Sequence, residues 1–454
     1  MRKEFIGTEG IVLLETVRRL YRRKAWSALG RVLMKIHPAE LSWIFRYLTA
    51  RERQVIFGML KEPEQIGEFL SELDESIRLE LVSSLSPEGI SEMIAAMSPD
   101  DVADLLDTLD EQLRQEVLAL MDKEDAAEVE DLLQYDTDTA GGIMSPDFLA
   151  MDEGLKVSEA IQQVQKLSEE AEMAFYIYVT DGAGKLQGVL SLRQLLMNAG
   201  TKQLVNIMET DVIAVTPETD QEEVAHIVSR YNIMAVPVVD HDGEILGIVT
   251  VDDILDVIRE EATEDFLRMV GAGKDREILL KPVMQNVWTR LPWLVASWLG
   301  GILAMLVIRS FEAELSQLLI LVGFIPVIIG MGGNIGTQSS TITIRGLATG
   351  RINIKHAWGF IGKQLRVGLI LGLIFGVMLG LLGWAYGEPR LGAVVALAIG
   401  FTMFISALLG TLVPVILRRL DVDPAVATGP FVTTTTDVLG VLIYFLLAKS
   451  LLAL

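Results

Sequence analysis

Gly429-Pro430-Phe431-Val432-Thr433-Thr434-Thr435-Thr436-Asp437-Val438-Leu439-Gly440 lies inside the last apolar run of the chain, and no basic residue follows Asp437 until Lys449. An ionised carboxylate at mid-membrane costs roughly 2.5–3.5 kcal/mol on insertion scales. Such a group is kept only where it faces a cavity, a partner or an ion. Four hydroxyls precede it, and the Gly-Pro pair is expected to loosen the helix just upstream. The stretch predicts a membrane-embedded cation site at Asp437.

Outward from that stretch, hydropathy changes class at Trp288. Five spans follow, at roughly 289–309, 316–344, 358–386, 391–417 and 426–452, each long enough to cross a bilayer with tilt. Trp288, Trp293, Trp384 and Tyr386 fall near their ends, as interfacial aromatics do. Ten basic residues, from Arg276, Lys281 and Arg290 through Arg345–Arg366 to Arg418 and Arg419, fall on one side of these spans. Only Arg309, Arg390 and Lys449 fall on the other. The richer side is the cytoplasmic one, which predicts a cell-membrane protein with its N-terminal half inside and its C-terminus outside. The second span carries Pro326 and then Gly330-Met331-Gly332-Gly333-Asn334-Ile335-Gly336-Thr337-Gln338. This reads as an interruption of the helix, tolerated at membrane depth beside a water-filled path.

Charge divides the 454 residues in two. Residues 276–454 hold 13 Lys and Arg against 7 Asp and Glu, and residues 1–275 the remaining 25 against 54. A net charge of −29 on the first part argues against nucleic acid, whose phosphates it would repel, and suits multivalent cations. There is no cysteine, so disulfides, zinc–thiolate sites and iron–sulfur clusters are excluded. The four histidines form no HExxH arrangement. The N-terminus reaches Glu15 and Arg18 too soon for a signal peptide, so the acidic part is expected in the cytoplasm.

Residues 1–135 read as an all-α domain of short stacked helices, wound in either hand. Helix starts stand at His37-Pro38-Ala39-Glu40, Ser86-Pro87-Glu88 and Ser98-Pro99-Asp100-Asp101, where proline fits the first helical position and acidic residues favour the positive end. Capping and the helix dipole account for Asp100 and Asp101 about as well as a binding role does. Asp104, a turn further on, is harder to explain in that way. Residues 136–260 hold an internal repeat, about 138–200 and 201–260. Ile143-Met144 returns as Ile207-Met208, and Tyr178–Ser191 returns as Pro237–Thr250, with the Asp-Gly turns 59 positions apart. Each copy reads helix, strand, turn, strand, helix, an α/β unit. Beyond it, helical spacing sets Asp253, Asp256, Glu260 and Glu264 near one face, where like charges repel. A connecting helix is expected over 261–287, followed by the membrane domain, 288–454.

The duplicated copies resemble a tandem pair of CBS domains. That family's nucleotide pattern, Ser or Thr with Asp three residues on, is matched by Thr250 and Asp253. The first copy has Ser191 but Gln194, which leaves room for one adenine-nucleotide site rather than a matched pair. With the domain order, Gly332–Gln338 and Pro430–Asp437, nearly the whole chain resembles the MgtE-type magnesium channels. The resemblance implies a homodimer in the lipid bilayer that carries Mg2+ and senses it internally. Matched by motif, the pore ligands are Asp437, the Thr433 carbonyl and Asn334. The cytosolic magnesium ligands are Glu68, Asp100, Asp104, Glu222, Asp253, Asp256, Glu261, Glu264 and Asp265. Asn232 stands where the family can place Asp, which predicts a weaker sensor site there.

No P-loop is present to power a pump, and no nucleophile–base set points to an enzyme. The rival reading is a CBS-regulated secondary transporter of divalent cations coupled to Na+ or H+.

Overall fold

The computed structural model describes residues 6–167, 175–273, 278, 281–312, 319–386, 389–420, 422–427 and 429–452. The chain folds as two units, 1–258 and 259–454.

The first unit opens with ten short helices among the described residues, from Ile6–Arg22 to Lys123–Leu132. Pro38, Pro63, Pro87 and Pro99 each occupy a first helical position. The caps are local: His37 Nδ1 accepts from Ala39 N, Ser86 from Gly89 N, and Thr49 forms a reciprocal capping box with Glu52. Ser98 departs from this pattern and donates to the Asp101 carboxylate at 3.1 Å. Helices eight or nine residues long expose too little apolar surface to stand alone, and here most pack on their second neighbours, while Trp26–Leu33 packs on Ile6–Arg22. Pro38–Arg46, Pro63–Ser71, Pro87–Ile94 and Glu111–Leu118 make one such row, with Phe45 and Phe69 edge to face at 4.7 Å.

The repeat forms a three-stranded sheet, β1 (Ala150–Asp152), β2 (Tyr176–Thr180) and β3 (Leu186–Ser191), and a two-stranded one, β4 (Ala235–Val239) and β5 (Ile245–Thr250). The likeness of the copies extends to individual hydrogen bonds. Asp181 Oδ1 accepts from Ala183 N and Lys185 N, Asp240 Oδ1 from Asp242 N and Glu244 N. Gly184 and Gly243 take the positive φ, +79° and +86°, that these turns require. Each copy's leading segment crosses to the other copy. Ser145 exchanges backbone bonds with Ile248, and Glu209 with Val189. Met144 thus lies over Gly247 and Met208 over Gly188, where a Cβ would meet the methionine sulfur at 3.0 and 2.6 Å. The duplicated Ile-Met pair is the clasp between the copies.

The second unit holds the five membrane-length helices: Val283–Ser310, Leu319–Ala348 (3-10 to Phe324, then α), Ala357–Ala385, Pro389–Arg419 and Phe431–Leu452. Two expectations change. Gly330–Gln338 does not interrupt the second helix, which is continuous from Ile325 to Ala348. The irregular part comes earlier, at Leu319–Phe324, because Pro326 lacks an N–H and is accommodated at the first helical turn. Gly429–Pro430 likewise does not loosen a span from within; Pro430 starts the fifth helix, and Pro424–Ala427 is a separate 3-10 turn.

The fourth helix is the most buried of the five. Lipid offers no hydrophobic drive between helices, so close backbone approach through small residues holds them together. A Cβ on Gly372 would stand 2.9 Å from Gly400 O, and one on Gly376 2.9 Å from Ala396 O. Away from that stripe the third helix presents Leu369, Ile370, Leu373, Val377 and Leu381, all exposed as on a lipid-facing side. One end of the bundle is apolar, with Phe311 stacked on Phe445 at 5.1 Å and buried Tyr444 donating to Leu321 O at 3.0 Å. The middle of the bundle, around Gly332–Gly336 of the second helix and Val432–Thr436 of the fifth, is built of glycine and hydroxyls.

Candidate ion pathway and acidic sites

Asp437 stands seven residues beyond Pro430, or about 10 Å along the helix at 1.5 Å per residue. It therefore lies about a third of the way along the span rather than at its middle, because the helix starts at Pro430. Its Oδ1 approaches the second helix at Gly333, where a Cβ would stand 3.7 Å away. That separation is ordinary van der Waals contact, so the carboxylate lies directly against the glycine face. Asn334, Thr337 and Gln338 are exposed on the second helix, while Gly336 seats against Val432 and Thr436 of the fifth. Asp437 and the Asn334 segment are thus brought to one helix pair.

The four threonines, equivalent in sequence, divide in the fold. The Thr433 hydroxyl donates to Gly429 O at 3.0 Å, and the Thr436 hydroxyl donates to Thr433 O at 2.8 Å. Both are turned to the helix's own carbonyls, and the Thr433 carbonyl carries that extra bond. Thr434 packs its methyl into the space left by Gly300 of the first helix. Behind this pair, Thr343 and Thr411 donate to carbonyls one turn back. The buried hydroxyls of Ser340, Thr402 and Ser406 make no such bond among the described residues. Thr402 and Ser406 both lie against Gly332. The fourth helix's part in this polar seam has no sequence signal, since its hydroxyls are spread through an apolar run.

In the first unit, Asp101 accepts from the Ser71 hydroxyl at 2.6 Å and from Ser98. Asp100 is the more deeply placed, with its Oδ1 buried and without a hydrogen bond among the described residues. Burial first, and then the neighbouring Asp101, push its carboxyl up to about 6, against weaker opposition from Ser98 and Ser145. Burial and Asp125 also raise Asp147, a residue that nothing in the local sequence marks out. Asp104 and Glu68 are exposed, and Glu222 is half-buried in the first turn of Gln221–Tyr231. Asn232 ends that helix in the left-handed conformation, φ 52°, which Asn tolerates and most residues do not. Its identity thus has a backbone reason independent of any ion. The Thr250 hydroxyl donates to the Asp253 carboxylate at the start of Val251–Met269, and Ser191 and Gln194 form the matching capping box in the first copy. Among the described residues, no three acidic or histidine side chains stand close enough to enclose a metal.

A carboxyl raised by the fold keeps its proton more readily there than in the unfolded chain. Its contribution to stability is fully present below its ordinary pKa and is lost as pH rises through about 6. Raising it from the ordinary Asp range to about 6 corresponds to roughly 3 kcal/mol. Without divalent cations, Asp100→Asn should stabilise the first unit at pH 7 by about 1–3 kcal/mol and leave it unchanged near pH 4. Urea unfolding at the two pH values measures this, and equal shifts at both would remove Asp100 from the pH dependence.

Val251–Met269 is one helix, and the chain then turns through Gly271 and Gly273, φ 69° and 95°, before Val283 starts the first membrane-length helix. The expected connecting helix at 261–287 is therefore two helices and a turn, and 274–277 and 279–280 lie outside the described residues. Glu261 and Asp265 are half-buried on it, and Glu264 pairs with Arg268. Arg268 also pairs with Asp423, next to the fifth helix. Neither partner stands out in the sequence, although Asp423-Pro424 is a turn signal.

Residues 36–138 match the MgtE intracellular N domain, 140–199 and 204–260 each match the CBS domain, and 325–447 match MgtE, a divalent cation transporter. The chain is 37% identical to the magnesium transporter MgtE of Thermus thermophilus, over 94% of this chain and 95% of the relative. It is 33% identical to that of Bacillus subtilis, over 92% and 93%. It also resembles the crystallised cytosolic domain of the Mg2+ channel MgtE in complex with ATP, at 36% identity and a TM-score of 0.51, over 54% of this chain and 99% of that one. The crystallised soluble part of a magnesium transporter is similar at 30% identity and a TM-score of 0.50, over 56% and 99%. The relatives are named for transport rather than catalysis. With five membrane-length apolar helices among the described residues after the matched N and CBS domains, the chain is a multi-pass membrane protein and belongs to the MgtE family of divalent cation transporters.

Proposed function

We propose that the protein is a magnesium-selective channel for passive uptake, closed when cytosolic Mg2+ rises. The observation that carries this reading is Asp437 set against Gly333, beside Asn334, in a helix pair of a divalent cation transporter family. One carboxylate per chain does not balance a divalent ion, whereas two chains across a two-fold axis supply two. Mg2+ is reluctant to shed water and favours octahedral oxygen ligands. Two Asp437 carboxylates, with Asn334 amides and Thr433 carbonyls, suit a largely hydrated ion held by outer-sphere contacts, with selectivity set by the size and hydrogen bonding of the site. With the N-terminal side in the cytoplasm, a divalent ion entering at −100 mV gains about 2 × 2.3 = 4.6 kcal/mol. No pump is needed.

An open pore would overload the cell, which gives the acidic domain its role. Residues 1–135, the CBS pair at 136–260 and the connecting segment at 261–287 would act as the sensor for the membrane domain from 288. Asp100 and Asp104, Glu222, Asp253 and Asp256, and Glu261, Glu264 and Asp265 offer hard oxygen ligands, with Glu68 a weaker contributor. The buried Asp100 oxygen without a hydrogen bond supports this assignment. Mg2+ bound among these groups relieves their repulsion, compacts the domains and shuts the pore. Added magnesium should protect the cytosolic part from limited proteolysis. Equal protection by a monovalent salt of the same ionic strength would reduce the effect to screening. The relative crystallised with ATP supports one adenine-nucleotide site at Thr250 and Asp253.

Recording from purified protein in liposomes tests the transport reading. Currents should reverse at the Mg2+ equilibrium potential and fall as Mg2+ is added on the cytoplasmic side. Flux that requires a Na+ or H+ gradient would replace the channel with a coupled transporter.

A further inference from the structure

Arg268 is the junction that the proposed function leaves unused. It lies in the last turn of Val251–Met269, half-buried, and its guanidinium is divided between two carboxylates. One nitrogen pairs with Glu264 on the same helix, and the other pairs with Asp423. Asp423 is itself fixed, because its Oδ1 accepts from Ala425 N at 2.7 Å and so caps the 3-10 turn Pro424–Ala427. That turn leads directly into the fifth helix, whose start lies seven residues before Asp437. A second contact lies alongside. A Cβ on Gly429 would stand 3.6 Å from Met269 O and 3.7 Å from Gly271 N, so the end of the connecting helix touches the residue that precedes Pro430.

We infer that Arg268 is a positioning residue, a built-in cation that ties the end of the connecting helix to the start of the fifth helix and carries the cytosolic signal to Asp437. The inference rests on the proposed closure by Mg2+ and adds the route by which closure reaches the pore. Arginine suits the task because its planar fork holds two carboxylates at once and stays charged at every physiological pH. The half-buried setting screens the pair less than an open surface would. The chemistry of the tie is internal. Glu264 and Asp423 are both met by the protein's own guanidinium, which leaves the three groups with a net charge of −1.

Asp423→Asn separates the two jobs of that side chain, since an amide oxygen can still cap Ala425 while the charge is gone. Arg268→Gln removes the other partner, and Arg268→Lys keeps the charge without the fork. Each is recorded in liposomes as the ratio of open probability at zero and saturating cytoplasmic Mg2+, with single-channel conductance measured alongside. Arg268→Gln and Asp423→Asn should each reduce that ratio about fivefold or more, the low end of typical allosteric coupling. The double variant should lose no more than either single variant, Arg268→Lys should recover part of the ratio, and conductance should stay at the parent value. A cysteine-free chain also permits a clean proximity test: Arg268→Cys with Asp423→Cys should be joined by a short bifunctional thiol reagent. Ratios equal to the parent, additive losses in the double variant, reduced conductance, or no cross-link would each overturn the tie while the parent still closes with Mg2+. A parent that does not close with Mg2+ would overturn the regulatory reading itself, and the signalling role with it.

Discussion

Asp437→Asn should reduce Mg2+ flux about a hundredfold or more while the protein still inserts, and its oligomeric state and its response to Mg2+ in limited proteolysis stay those of the parent. An ion held through one water stands about 5 Å from the carboxylate. With an effective dielectric of about 40, between that of water and of a protein surface, removing one charge costs about 332 × 2/(40 × 5) ≈ 3 kcal/mol per chain, and each 1.4 kcal/mol is tenfold in occupancy. Asparagine is nearly isosteric and keeps an oxygen toward Gly333, so packing against the second helix is preserved. The measurement is Mg2+ uptake into liposomes at a fixed potential, alongside size-exclusion behaviour. Flux within a factor of about three of the parent would make the charge irrelevant and leave the carboxylate a packing group.

Gly410→Val has the largest expected effect on stability. A Cβ at this position of the fourth helix would run into Gly336 O, with Gly336 C and Ser339 Cβ both at 3.1 Å. The obstacle is mostly backbone, so no rotamer change relieves it. Gly336 is itself seated against Val432 of the fifth helix, and a shift of the fourth helix would therefore move the second helix off the fifth. Overpacking of this kind costs about 3 kcal/mol or more where neighbours cannot give. Gly362 on the third helix has nothing within 4 Å of its would-be Cβ, and Gly362→Ala should be neutral or slightly stabilising, since alanine loses less backbone freedom in a helix. Thermal unfolding in detergent distinguishes the two. A Gly410→Val protein that melts with the parent would mean that the second and fourth helices do not meet backbone to backbone.

The pattern of glycines shows how far a sequence can be read. Gly332, Gly333 and Gly336 stand out in an apolar run, and a break in the helix is the natural inference, because glycine is a poor helix former. In a membrane the penalty is outweighed: unsatisfied backbone groups are far more costly than lost propensity, and the helix continues from Ile325 to Ala348. The glycines serve contacts with Thr402, Asp437, Val432 and Thr436 on other helices, and none of these partners is local. Proline misleads in the same direction. Pro326 and Pro430 read as disturbances within spans, whereas both sit in a first turn where a missing N–H costs nothing.

By itself the sequence determined the number of membrane-length helices, the duplicated α/β unit, the helix starts at Pro38, Pro87 and Pro99, and the peculiarity of Asp437. Each is encoded in a window of a few residues, through hydropathy, repetition or capping chemistry. Tertiary structure decided the rest. It crossed Met144 and Met208 between the copies, and it turned the Thr433 and Thr436 hydroxyls to their own helix. It also left Ser340, Thr402 and Ser406 buried behind the candidate pathway, and it joined Arg268 to Asp423. These depend on groups brought together by the packing of whole helices, whose meeting is set by which small side chains let two backbones approach and which charges remain to be matched once they do.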